Sequence, residues 1–120
     1  MHPKSAKLVE DIRDAAAFIL EASKDMSSEQ FAGNRLVRQA VERNFQIIGE
    51  AARRLTNIDI DSDTAARLGP VARIIAFRNI IVHGYDSMDY EVVWSVIKHD
   101  LPGLSLRATE LLRSAGLPKV

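Results

Sequence analysis

The chain contains no cysteine. That excludes a disulfide framework, a thiolate nucleophile and any thiolate metal site, and it points to a reducing compartment. Charge of one sign is also missing: 16 basic and 16 acidic residues give a formal net charge of +0. Proteins that bind nucleic acid non-specifically are normally basic, so only a local patch could serve that purpose here. No long apolar run occurs. The opening stretch MHPKSAKLVEDIRDAAAFIL is interrupted by Glu10, Asp11, Arg13 and Asp14. It has neither the uncharged centre of a secretion signal nor the length of a membrane span, so a cytoplasmic protein with no membrane partner is expected. Three scattered histidines, with no acidic ligand cluster beside them, make no metal site. There is no glycine-rich phosphate loop, no internal repeat and no low-complexity tract.

What is present is a chain of 120 residues with 47% hydrophobic content. That suits a single domain over residues 1–120, large enough to bury roughly two-thirds of the surface its unfolded form exposes. Nearly every long segment repeats at helical period. Leu8, Ile12, Ala15, Ala16 and Ile19 recur three and four apart and predict a first helix from Ser5 to Ser23. Ser27 or Ser28 suits the N-cap of a second, long helix reaching Leu55, with an irregularity near Gly33-Asn34. Its expected seam is Val37, Val41, Asn44, Ile48, Ala51 and Leu55. Asn44 would need a hydrogen-bond partner there, and fixing helix register and supporting a site are equal explanations for it.

The stretch from Thr56 to Thr64 reads as a loop with a short helical turn. Pro70 is placed to start a third main helix, which Gly84 would end. Tyr90, Val93, Trp94, Ile97 and Leu101 mark the apolar face of a further helix. Pro102-Gly103 would break or kink it, and a last helix would run from Leu104 to about Ser114, with residues 115–120 a frayed tail. No segment alternates at period two for long enough to make a strand. The expected fold is all-α, an up-and-down bundle of four to five helices.

Within the third predicted helix, FRNIIVHGYD places Arg78, Asn79, His83 and Tyr85 in one of the most apolar parts of the chain. On a helical wheel Arg78 falls inside the arc of Val71, Ile74, Ile75 and Val82. A guanidinium there must meet a carboxylate, reach solvent through a cleft or be covered by another subunit or ligand, because arginine does not give up its charge. Glu42 and Glu50 on the second helix are the first partners to consider. Asn79 and His83 share a face, whereas Arg78 and His83 lie about 140° apart round the helix. Tyr85 follows Gly84 and stands off the helix. Histidine can move a proton near neutral pH, and arginine can hold a phosphoryl oxygen as charge develops on it. The pair therefore suits cleavage of a ribonucleotide phosphodiester, a reaction in which no metal is chemically required. An ordinary alternative stands beside this: a histidine favourable to the helix dipole and an arginine in a salt bridge. The same choice applies to Arg35, Arg38, Arg43, Arg53, Arg54, Arg67 and Arg73, which form either a solvated salt-bridged face or a phosphate-binding patch.

The spacing of an arginine followed by a polar residue, then a histidine, one residue and a tyrosine resembles the signature of the HEPN superfamily, and its HepT-like branch of small toxins most closely. AVERNFQIIGEAARRL, IIAFRNIIVHGY and DYEVVWSVIKHDLPGL each resemble that family's segments, in its order. The resemblance implies a HEPN-like homodimer whose motif helices line an interface cleft. It implies Arg78 and His83 as the catalytic pair of a metal-independent endoribonuclease acting on RNA, with Asn79 in support. It further implies a type II toxin-antitoxin pairing with a minimal nucleotidyltransferase antitoxin. That partner would use ATP, which this chain would not, to transfer AMP to Tyr85 and block the site. The alternative is a non-catalytic subunit that binds a nucleotide or the partner within a nucleotidyltransferase complex.

Overall fold

A computed structural model describes Met1 and residues 3–58, 64–70 and 90–116. Every regular element among the described residues is helical: α1 (Pro3–Ser23), α2 (Ser28–Gly33), α3 (Arg35–Ile58), α4 (Thr64–Arg67), α5 (Tyr90–His99) and α6 (Leu101–Ser114). The chain is all-α, as its periodicity implies.

Helix α1 is the centre of the packing, lying against α3 on one side and α6 on another. Its stripe is the reason. Val9, Ile12, Ala16 and Ile19 are at most 1% exposed, and they meet Val41, Phe45, Ile48, Ala52 and Leu55 of α3 and Leu104, Ala108, Leu111 and Leu112 of α6 in a single core. Each fully buried Ile, Leu, Phe or Val in such a core contributes about 1.5–3 kcal/mol of transfer free energy. Alanines at 15, 16, 51, 52 and 108 keep the helices close. Phe31 of α2 and Val93 and Ile97 of α5 close a second side.

The expected irregularity in the second helix is a full break. Ser27 caps α2 with a reciprocal box: its hydroxyl accepts from the Gln30 backbone N–H at 3.1 Å, and the Gln30 side chain accepts from the Ser27 N–H at 2.8 Å. Asn34 then serves both helices. Its backbone N–H donates to the Phe31 carbonyl at 3.2 Å and closes α2, while its side-chain oxygen accepts from the Val37 N–H at 3.1 Å and caps α3. A side chain at Gly33 would meet nothing within 4 Å, so the amide of Asn34, not steric need for glycine, makes the break.

Three boundaries differ from the sequence reading. Helix α1 begins at Pro3, two residues before Ser5. Helix α3 continues to Ile58, one turn beyond Leu55. The last helix starts at Leu101, three residues before Leu104, because Pro102 occupies its first turn, where a missing N–H costs nothing. Asp100 forms only a turn between α5 and α6. The expected helix after Pro70, the loop residues 59–63, His2 and the tail residues 117–120 lie outside the described residues.

Candidate functional site

Arg78, Asn79, His83 and Tyr85 lie outside the described residues, as does the rest of 71–89. The flanks of that segment are described, and both are held by arginines. On the entering side Leu68 is buried, and the Arg107 guanidinium of α6 donates through Nε to the Leu68 carbonyl at 2.7 Å. Gly69 follows at φ +101°, and a Cβ there would come within 2.5 Å of the Arg107 guanidinium. The positive φ favours glycine at this position, and an added Cβ would also make the Arg107 side chain shift. On the leaving side Tyr90 opens α5 with the Arg38 guanidinium 4.5 Å from its ring centroid. Its edge meets Phe31, with centroids 6.4 Å apart and planes at 79°. Phe31 also packs on Trp94 at 5.4 Å, and Lys98, one turn further along α5, stands 4.6 Å over the Trp94 ring.

Helix α3 carries the polar residues expected to support the motif. Asn44 is not on the buried seam: Phe45 takes that place at 2% exposure, and Asn44 is half-buried at its edge. Its amide Nδ2 donates to the Ala40 carbonyl of the preceding turn at 2.8 Å, which satisfies the group within its own helix. Glu42 is also half-buried. Burial raises its carboxyl above the ordinary range, against the pull of Arg38. Glu50 is bound by Arg53 (Nη2 to Oε1, 2.6 Å) and Arg54 (Nε to Oε1, 3.0 Å). The hydrogen bond from Arg53 leads in lowering its pKa to about 2; partial burial opposes it and Arg54 reinforces it. Glu50 is thus a carboxylate held by its own helix, and any contact with Arg78 falls beyond the described residues.

Two charged residues, Arg13 and Arg107, escaped the reading of the sequence, and Arg38 entered it only as one of a group of arginines. Arg13 has a side chain only 7% exposed, yet its Nη2 has no hydrogen-bond partner. The signal was present, since position 13 falls four after Val9 and three before Ala16, inside the apolar stripe. Arg38 likewise has a buried Nε without an acceptor. Arg107 carried no local signal, because its partner is 39 positions away. Among the described residues no group of three or more His, Cys, Asp or Glu side chains could hold a metal, and no helix is long and apolar enough to cross a membrane. His99 is exposed at the end of α5.

An all-helical domain in which a long arginine-bearing helix accompanies an Arg–X4–His–X–Tyr segment is of the HEPN-like ribonuclease class. The family model described as Ribonuclease HepT-like matches residues 12–111, a span that includes Arg78 through Tyr85. The chain belongs to that family. A Methanocaldococcus jannaschii protein named as a candidate RNase, MJ1380, is 35% identical over 92 residues, which cover 77% of this chain and 82% of the relative. A Thermococcus cleftensis protein named "Probable ribonuclease HepT" is 30% identical over 96 residues, covering 80% of this chain and 84% of its own. A candidate RNase of Caldanaerobacter subterraneus, TTE0752, is 27% identical over 105 residues, covering 88% and 91%. No solved structure matches the chain with significance.

Proposed function

We propose that this protein is a metal-independent endoribonuclease that works as a homodimer, with Arg78 and His83 of the two copies meeting in an interface cleft. The observation that carries the reading is the Arg78-Asn79-Ile80-Ile81-Val82-His83-Gly84-Tyr85 sequence inside a family match that spans residues 12–111. In this reading His83 takes the proton of a ribose 2′-hydroxyl, whose oxygen attacks the adjacent phosphorus. The bond from phosphorus to the 5′-oxygen breaks, that oxygen takes up a proton, and a 2′,3′-cyclic phosphate and a 5′-hydroxyl are the products. Arg78 stabilises the extra charge on the phosphoryl oxygens as the fifth bond forms, and Asn79 orients the pair. A cleft shared by two copies supplies two histidines, one for each proton transfer. It also relieves the separation of Arg78 from His83 on a single helix.

The reading extends to regulation. The protein acts as the toxin of a toxin-antitoxin pair in the cytoplasm, and the Tyr85 hydroxyl attacks the α-phosphorus of ATP held by a nucleotidyltransferase antitoxin. Pyrophosphate leaves, and the AMP group on Tyr85 blocks the cleft.

The test is cleavage of unstructured RNA by wild type, Arg78→Ala and His83→Ala, with dimerisation followed by light scattering. Loss of cleavage by at least a hundredfold in both variants, with the dimer intact, is expected. Equal cleavage by all three refutes the assignment. RNA left whole by the wild type supports instead a non-catalytic subunit that binds a nucleotide or the partner. Intact mass after incubation with the antitoxin and ATP tests Tyr85: an adenylyl adduct that survives in Tyr85→Phe removes the proposal.

A further inference from the structure

Two cations lie over aromatic rings on the side of the bundle where α5 begins. Arg38 covers Tyr90 at 4.5 Å and Lys98 covers Trp94 at 4.6 Å, while Phe31 packs against both rings. Tyr90 and Trp94 are half-buried and Lys98 is exposed, so the cluster reaches the surface. Neither cation has a carboxylate within salt-bridge distance among the described residues, although Lys7, Lys24, Arg13, Arg53 and Arg54 all do. The buried Nε of Arg38 lacks any acceptor. A guanidinium held over a half-open aromatic ring, with a buried N–H that no described group satisfies, calls for an explanation that internal pairing does not supply. Position suggests one. Tyr90 is five residues beyond Tyr85, so fully extended chain could separate them by at most about 18 Å, a distance that a few nucleotides of single strand can bridge.

We propose that Tyr90 and Trp94, with Arg38 and Lys98, form a stacking platform for unpaired bases of single-stranded RNA flanking the scissile bond. Lys98 exchanges its place over the indole for a phosphate, and the vacated ring face takes a base. Arg38 keeps the phenol oriented and adds its positive charge beside the backbone. Stacking of this kind accepts any base, because every base has a π-face, and it discriminates against duplex, whose bases are not free. The proposal rests on the ribonuclease reading for its substrate, but it can fail separately.

Trp94 is the only tryptophan, so its fluorescence reports on the platform directly. A 12-nucleotide unstructured RNA is titrated into the full-length His83→Ala protein, with anisotropy of a labelled RNA followed in parallel. Saturable quenching of Trp94 is expected at the same midpoint as the anisotropy change. Lys98→Gln, a surface change, should weaken binding several-fold and reduce the slope of log affinity against log salt by about 0.7. Tyr90→Leu should weaken it about tenfold. RNA binding without quenching, and with Lys98→Gln at wild-type affinity and salt slope, overturns the platform while leaving the nuclease in place. Quenching by RNA that the wild type never cleaves supports the platform and sinks the nuclease. Trp94 emission that follows protein concentration and ignores RNA assigns this surface to a second copy, and the platform falls.

Discussion

Replacing Arg13 by methionine should make the protein more stable. Arg13 lies in the middle of α1 on the face that meets the core, with 7% of its side chain exposed. Its Nε donates to Asp14 at 3.0 Å, but Asp14 is 62% exposed. Its Nη2 stands 3.9 Å from Glu10, beyond hydrogen-bond reach, and has no other partner. A buried donor left unmade costs about 1–3 kcal/mol. The ion pair to a largely solvated carboxylate returns about 0–1 kcal/mol. Methionine fills a similar channel without branching and carries no donor to satisfy. Neither Glu10 nor Asp14 is stranded by the change, because both reach water. The balance is a gain of about 1–2 kcal/mol, or a rise in Tm of about 4–8 °C for a domain of this size. Calorimetry and urea unfolding at one fixed protein concentration measure it, since association would itself shift Tm. Two controls locate the effect: Asp14→Ala should change stability by less than about 1 kcal/mol, and Arg13→Ala should lose the packing of the arginine stem. A loss of more than about 1 kcal/mol in Arg13→Met refutes the reasoning, since it would mean the guanidinium is compensated after all.

Three further outcomes follow from local geometry. Glu50 has a folded pKa of about 2 against an ordinary 4.5, so its contribution to stability is complete above about pH 4.5 and is lost as pH falls toward 2; Glu50→Gln should flatten the urea midpoint against pH in that window, and an unchanged slope counts against the Arg53 and Arg54 bonds. Gly69→Ala meets a positive φ and displaces the Arg107 guanidinium, so a loss of about 1–2 kcal/mol is expected in the same assay, and a neutral result would count against the left-handed backbone at Gly69. Ser27→Ala removes half of the capping box and should cost about 1 kcal/mol, while Ser28→Ala, inside the helix, should cost less.

The parts of this fold that were legible in the sequence are those decided within one turn of helix. The stripe of α1, the cap at Ser27 and the interruption at Asn34 depend on neighbours three or four residues away, and each was readable. What went unread depends on partners far along the chain. Phe45 displaces Asn44 from the seam because α1 approaches α3 from one side, and a heptad count cannot supply that direction. Arg107 holds Leu68 across 39 positions with no pattern to mark either end. Arg38 read as one arginine of a salt-bridged face or a phosphate patch and Tyr90 as part of an apolar face, and only the approach of α3 to α5 makes them a pair. The candidate site divides the same way: the motif from Arg78 to Tyr85 is visible as a spacing, whereas the arginines that hold its flanks are not.

Net charge is a chain-wide sum and says little about a local surface. A total of +0 gave no support to nucleic acid as a partner and left only a local patch open, because charges act in pairs and at short range. Lys7, Arg13, Lys24, Arg53 and Arg54 are matched by acids within four residues along the chain and contribute little field at a distance. Arg35 and Arg43 stand in water on α3, and Arg38 and Lys98 stand over rings, all four without a carboxylate within salt-bridge distance among the described residues. An anionic strand meets the unmatched cations, not the sum. Two of those four, Arg38 and Lys98, belong to one aromatic cluster next to the segment that carries the motif. A neutral protein can therefore present a basic surface where it matters, provided its acids are spent on pairing elsewhere.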